Sequence, residues 1–207
     1  MELSQAMVTL ISVRRFRDQA VNTSTLEELM MAATSAPSPA NSQPWEFVLV
    51  KSPEKKGSLA KINLECASTY IRNRKVKMDE QRIRYLQKSL RRMAEAPAML
   101  VLCVNWKRAG FMNKTGGLAK INKRLEQVAT YGAVFPAMQN LLLSARSMGL
   151  GCWISMYHYY NMTEFRSVLN LPAYVEPVAT ICIGYPTGRF KPVRRESFRK
   201  RLHVDGW

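Results

Sequence analysis

Three separated segments of the chain carry side chains suited to gripping an anionic, partly aromatic ligand. The first is Ser12-Val13-Arg14-Arg15-Phe16. Ser12 and Arg14 stand two apart, so on an extended stretch they share a face. A hydroxyl and a guanidinium on one face suit a phosphate or a ring carbonyl. Taken alone, these arginines read as ordinary surface charge. The second segment runs from Ala36 to Phe47 as A-P-S-P-A-N-S-Q-P-W-E-F. Its prolines stiffen the backbone, and Ser38, Asn41 and Gln43 crowd polar side chains beside Trp45. Rigid polar loops next to an aromatic make good ligand walls, although the same composition serves any helix-to-strand turn. The third is Gly149-Leu150-Gly151-Cys152-Trp153-Ile154. Its glycines allow a close backbone approach and equally mark a helix stop leading into a strand.

Other kinds of site find little support. No Ser/His/Asp or Cys/His arrangement for nucleophilic catalysis is visible. His158 and His203 stand far apart without clustered acids or thiols, so no metal site is expected. Cys66, Cys103, Cys152 and Cys182 form no C-x-x-C pair, and Cys103 and Cys182 sit in apolar runs where a thiol behaves as a small hydrophobe.

In that order, S-V-R-R-F, A-P-S-x-x-N-x-Q-P-W-x-F and G-L-G-x-W-I resemble the nitroreductase family of flavoproteins. The likeness runs from about Ser12 to Phe47 and resumes from about Tyr131 to the end. The stretch 51–118 carries little of it beyond one apolar strand. The resemblance implies an α+β sandwich. A central, mostly antiparallel sheet with a parallel element at one edge is flanked by helices, and two chains interlock as a homodimer. It implies FMN at the dimer interface, contacted by Ser12, Arg14, Pro37, Ser38, Asn41, Gln43, Ile154, Ser155 and Arg195, with some contacts from the other subunit. Of these, Arg195 matches the phosphate-binding arginine of the tail, and Arg14 would stabilise negative charge near flavin N1 and O2. The Ser155 backbone N–H would face N5. Hydride would pass from NADH or NADPH to a small nitroaromatic, quinone or enone by a ping-pong route, with no protein nucleophile. Two departures stand out: Leu10 and Ile11 replace arginines that often precede the serine, and Met156 replaces a frequent glycine. Tyr70, Tyr85, Phe111 and Met112 are candidate pocket-lining residues in the variable middle.

These residues must be positioned by the surrounding elements. Glu2–Ile11 suggests a short first helix. Ser24 and Glu27 have capping-box spacing, and Leu26, Leu29, Met30 and Ala33 then recur with helical period. Trp45–Val50, Ala98–Val104, Cys152–Ser155 and Val178–Gly184 read as strands, the second apolar on both faces and therefore central. Glu54–Ile71 and Leu118–Met148 read as helices, the latter to be kinked or restarted at Pro136 and stopped at Gly149. Thr163 is the expected N-cap of a helix reaching Leu169.

The 207 residues suit one domain spanning 1–207, with a variable basic excursion at about 72–118. No apolar stretch approaches the roughly 18–20 residues needed to span a bilayer, and the start lacks the pattern of a secretory signal. A cytoplasmic location is the default expectation, with no membrane partner. The unusual feature is charge: 31 basic against 15 acidic residues give +16. It gathers between Arg72 and Arg92 and in the tail from Arg189 to Arg201. Such a field attracts anions. The rival to an enzyme is therefore a basic nucleic-acid-binding module, although no helix-turn-helix, RRM or zinc pattern is present.

Overall fold

The computed structural model describes residues 1–75, 77–110 and 117–207; the candidate pocket residues Phe111 and Met112 lie outside them. Four strands form one sheet: β1 (Trp45–Val50), β2 (Ala98–Asn105), β3 (Gly151–Ser155) and β4 (Val175–Gly184). Their order is β1-β2-β4-β3, and every neighbouring pair is antiparallel. The two-faced apolar run of β2 lies inside the sheet, as its composition requires. Trp45 pairs with Val104 at one end of β1, and Ser155 pairs with Thr180 on β4.

Alternation along β2 divides the core. Leu100, Leu102 and Val104 pack with Leu26 and Leu29 of α2 (Thr23–Thr34) and Leu141 of α5 (Ala119–Ser147). Met99, Val101 and Cys103 face the opposite way. They meet Leu59 and Ile62 of α3 (Pro53–Arg72), Leu90 of α4 (Glu80–Arg91) and Phe165 of α6 (Met162–Leu169). The short α1 (Leu3–Thr9) lies against α5. Helices thus cover both faces of the sheet, the α+β sandwich expected.

Local signals were partly misassigned. The capping box at Ser24 and Glu27 does not form, because the first turn closes earlier, with Leu26 N–H donating to the Asn22 carbonyl at 3.1 Å. Asn161, not Thr163, caps α6, and its side chain accepts from Glu164 N–H. Of the two outcomes expected at Pro136, a restart does not occur: α5 runs through it as one helix of 29 residues. The carbonyl that Pro136 would crowd belongs to Gly132, four residues earlier, where no side chain resists adjustment. Gly149 does end the helix, at φ 79°. Its N–H donates to Arg146 O at 3.1 Å and Leu150 N–H to Ala145 O at 2.8 Å, a Schellman stop. The basic stretch folds as α4, started by Asp79, whose carboxylate accepts from Arg82 N–H. Among the described residues no helix is long and apolar enough to cross a membrane, and no group of metal-ligating side chains gathers.

Candidate active site

The amino-terminal segment lies along the free edge of β3. Ser12 bridges Cys152 in parallel, and Val13 N–H donates to Cys152 O at 2.9 Å. Gly151 makes this approach possible, since a Cβ there would fall 2.5 Å from the Val13 side chain. With the Cys152 carbonyl turned away from β4, strand alternation turns the Ile154 N–H the same way. It directs the Ser155 N–H toward Thr180 instead. Of the two amides that the sequence places beside a ligand, the register leaves Ile154 N–H directed off the free edge and turns Ser155 N–H into the sheet. Ser155 serves differently: its buried hydroxyl donates to Asn63 Oδ1 at 2.6 Å, and Asn63 Nδ2 donates to Leu59 O at 2.8 Å. The end of β3 is thereby tied to α3.

Beside this edge opens a cavity of about 330 Å³ whose lining includes Leu10, Ile11, Ser12, Cys152, Ile154 and Arg195. Ser12, Ile154 and Arg195, far apart in sequence, meet here. Leu10 and Ile11, which stand where the family often has arginines, give it an apolar wall. Burial pushes the Cys152 thiol up to about 12, so it stays protonated and is no nucleophile.

Arg14 occupies an adjoining space. Its guanidinium lies 5.4 Å from the Trp153 ring and 5.8 Å from the Tyr85 ring. Its Nε is buried and has no hydrogen-bond partner among the described residues. An unspent charged donor beside aromatic faces is costly unless a ligand takes it up. Tyr85, Lys88, Ser89 and Arg92 line the same space. These four recur at i, i+3, i+4 and i+7, one face of a helical turn. Sequence reading has Tyr85 as a pocket candidate and Lys88 and Arg92 within the basic stretch, and it misses Ser89; their spacing is the available signal. Tyr70 lies further out, its ring 5.2 Å from Tyr157. Burial raises the Tyr157 phenol above its ordinary value, with Tyr70 adding and Arg14 and Arg74 opposing.

The Pro37–Gln43 loop stands apart from this edge. Ala40, Asn41 and Gln43 have φ of 49°, 51° and 45°. Gln43 N–H donates to Ser38 Oγ at 3.0 Å, and Gln43 Nε2 to Asn41 Oδ1 at 3.2 Å. The loop leads into β1, three strand spacings from β3, or about 14 Å. Pro37, Ser38, Asn41 and Gln43 do not join the linings that hold Ser12, Arg14 and Arg195.

The chain is similar to known proteins over most of its length. A family model described as the nitroreductase family matches residues 11–185. The 5,6-dimethylbenzimidazole synthase of Rhodospirillum rubrum is 31% identical over 84% of this chain and 77% of its own length. The FMN reductase [NAD(P)H] of Bacillus subtilis is 26% identical over 91% of this chain and 67% of its own. A solved BluB-like flavoprotein from Clostridium difficile 630 superposes with a TM-score of 0.76, covering 100% of both chains at 22% identity.

Proposed function

Since the chain belongs to the nitroreductase family and is an NAD(P)H-dependent flavin oxidoreductase, we propose that it binds FMN along the edge of β3. In this reading it reduces a small oxidised substrate of nitroaromatic, quinone or enone type. The observation that carries this reading is the buried Arg14 Nε, an unspent cationic donor next to a cavity that joins Ser12, Ile154 and Arg195. When bound, the isoalloxazine supplies the hydride chemistry, taking two electrons from NADH or NADPH and giving them to the second substrate.

The protein's own residues bind, orient and polarise. Arg195 and the Ser12 hydroxyl suit the phosphate. Ile154 offers an outward N–H to the ring edge, which the Ser155–Asn63 contact holds in place. Arg14, with Arg92 on the same wall, places positive charge where reduction would accumulate negative charge. Ala96 and Pro97 carbonyls engage Lys56, at 2.9 and 3.4 Å, so that cation is already spent elsewhere. Both substrates would use one exposed face in turn, giving ping-pong kinetics.

The Pro37, Ser38, Asn41 and Gln43 contacts would come from a second copy of the chain in a homodimer. Ile121, Leu125 and Val128 expose an apolar stripe on α5, and Phe198, Leu202 and Trp207 are exposed in the tail, surfaces that such pairing would cover. The nucleic-acid reading has the overall charge in its favour. Yet Arg14, Arg15, Arg189 and Arg195 line cavities of about 320–330 Å³ beside the β3 edge. Titration of purified protein with FMN tests the proposal: a stoichiometric flavin spectrum and dimeric mass are expected. Failure to bind flavin, with tight oligonucleotide binding at physiological salt, would reverse the choice.

A further inference from the structure

The arginines of the amino-terminal segment meet the base of the basic tail where it leaves the sheet. Arg17 N–H donates to Tyr185 O at 2.8 Å, Thr187 N–H to Arg15 O at 3.2 Å, and Arg17 Nε to Pro186 O at 3.0 Å. Phe16 bridges Pro186. The amino-terminal segment and the base of the tail are thus clamped together. Between them opens a second cavity, of about 320 Å³, whose lining includes Arg14, Arg15, Tyr85, Arg189 and Phe190. Its lining has two aromatic rings, no carboxylate and three guanidinium groups, of which Arg15 and Arg189 are not used by the proposed flavin contacts. Glu95 lines an adjoining space together with Arg14, Arg15 and Arg92. Phe190 is fixed by Arg146, whose guanidinium lies 3.8 Å from the ring centre and whose Nε donates to Thr9 Oγ1 at 2.9 Å. Ser12 borders both this cavity and the one proposed for flavin, so the two are contiguous.

We propose that this second cavity is the phosphate subsite for the electron donor, taking the 2′-phosphate of NADPH, and that the enzyme thereby prefers NADPH over NADH. The inference rests on the flavin-oxidoreductase reading. The two donors differ by one phosphomonoester, a group of about −1.5 to −2 charge with three acceptor oxygens. Guanidinium forks match such a group in charge and shape. Tyr85 and Phe190 offer faces for the attached purine. The flavin's own phosphate has the same chemistry, and Arg195 in the neighbouring cavity provides for it.

The test uses the flavin-loaded protein and the variants Arg15→Ala and Arg189→Ala, singly and together. The kcat/KM for each nicotinamide is measured beside the FMN dissociation constant and calorimetric binding of adenosine 2′,5′-bisphosphate against AMP. The native protein should favour NADPH by about tenfold or more, the scale of one charge-assisted hydrogen bond. The double variant should bring the ratio toward one through the KM for NADPH, with NADH constants and FMN affinity unchanged. Arg15→Lys and Arg189→Lys should retain part of the preference. Equal use of both donors by the native protein overturns the proposal. So does a loss of FMN affinity in the alanine variants, which would assign the cavity to the flavin phosphate. If neither nicotinamide reduces the flavin while the bisphosphate still binds better than AMP, the subsite stands and the oxidoreductase reading falls.

Discussion

The β3 edge and the Pro37–Gln43 loop are two halves of the proposed flavin site, and they are built in opposite ways. At the edge, donors are left over: Arg14 Nε is buried without a partner, and the Ile154 amide points out of the sheet. In the loop, Ser38 and Asn41 both accept from Gln43, and among the described residues only the buried Ser42 hydroxyl of this loop is left without a partner. The edge is held by the sheet and by α3. The loop is held in a left-handed backbone by its own short bonds, at a cost of about 1–3 kcal/mol per strained residue. The edge therefore reads as the half that binds, and the loop as a preshaped surface offered to another copy. The two halves are separated by the width of the sheet, which is why one chain alone does not bring them together.

The strongest way to break this division is to remove the unspent cation. Arg14→Ala should weaken FMN binding by about 10–100-fold, as expected for losing a charge-assisted hydrogen bond in a sheltered site. Arg14→Lys should recover part of it. Fluorescence titration of apoprotein reads the effect, with thermal unfolding of the apoprotein as control. Unchanged FMN affinity in Arg14→Ala would mean that the edge is not the binding half.

A subunit-mixing experiment sharpens the comparison. Asn41→Ala with Gln43→Ala should lower flavin affinity without touching the β3 edge. Mixed with Arg14→Ala chains and allowed to exchange, the two defective forms should regain about a quarter of native flavin sites. Half of randomly paired dimers are mixed, and each mixed dimer carries one intact site. No recovery after verified exchange would place both halves within a single chain.

Much of this was legible beforehand, and the failures have physical causes. All four strands were visible because their apolar runs are dictated by burial on one or both faces. Gly149 was legible because a helix stop of this kind needs a positive φ. The caps were not: Ser24 lost to Asn22 and Thr163 to Asn161, since several polar residues in a row can each start a helix and packing chooses among them. Pro136 looked like a break because the role of Gly132 is a matter of three dimensions. At the site, Ser12, Ile154 and Arg195 were brought together as their motifs suggested. Which of Ile154 and Ser155 turns its amide off the edge is not legible, because side-chain motifs say nothing of backbone direction. Lys88 and Arg92 are legible as charge but not as one helical face with Ser89 and Tyr85, because a run so rich in cations hides its own periodicity.

Acid should act on the edge half first. His158 follows β3, is fully buried and stacks on Phe165 with ring centres 4.3 Å apart. Burial lowers its proton affinity below the ordinary value of 6.5, against smaller opposing effects from the Pro177 carbonyl and Glu176. The unfolded chain therefore takes up the proton first. The stabilisation is complete above pH 6.5 and is lost as pH falls from there toward the lower folded value. Chemical denaturation across pH 5–8 should show this slope, by about 1.4 kcal/mol for each unit of displacement, and His158→Phe should flatten it. An unchanged slope in that variant would assign the acid sensitivity elsewhere.

The smallest effect concerns the loop. Ala40 holds φ 49° without a polar side chain to support it. Left-handed backbone costs a residue with a Cβ about 1–2 kcal/mol, and glycine escapes that cost while gaining freedom in the unfolded chain. Ala40→Gly should therefore raise stability by about 0.5–1 kcal/mol, read from denaturant midpoints at constant slope. Asn41→Gly should gain less, because asparagine tolerates this region and its Oδ1 would be lost to Gln43. If the loop's shape serves the second copy, that same Asn41→Gly change should still weaken flavin retention, despite leaving folding nearly untouched. Ala40→Gly should stabilise with no such loss. Equal behaviour of the two variants in both measurements would mean that the strain is incidental to binding, and the contrast between a donor-rich edge and a preshaped loop would reduce to two unrelated pieces of backbone.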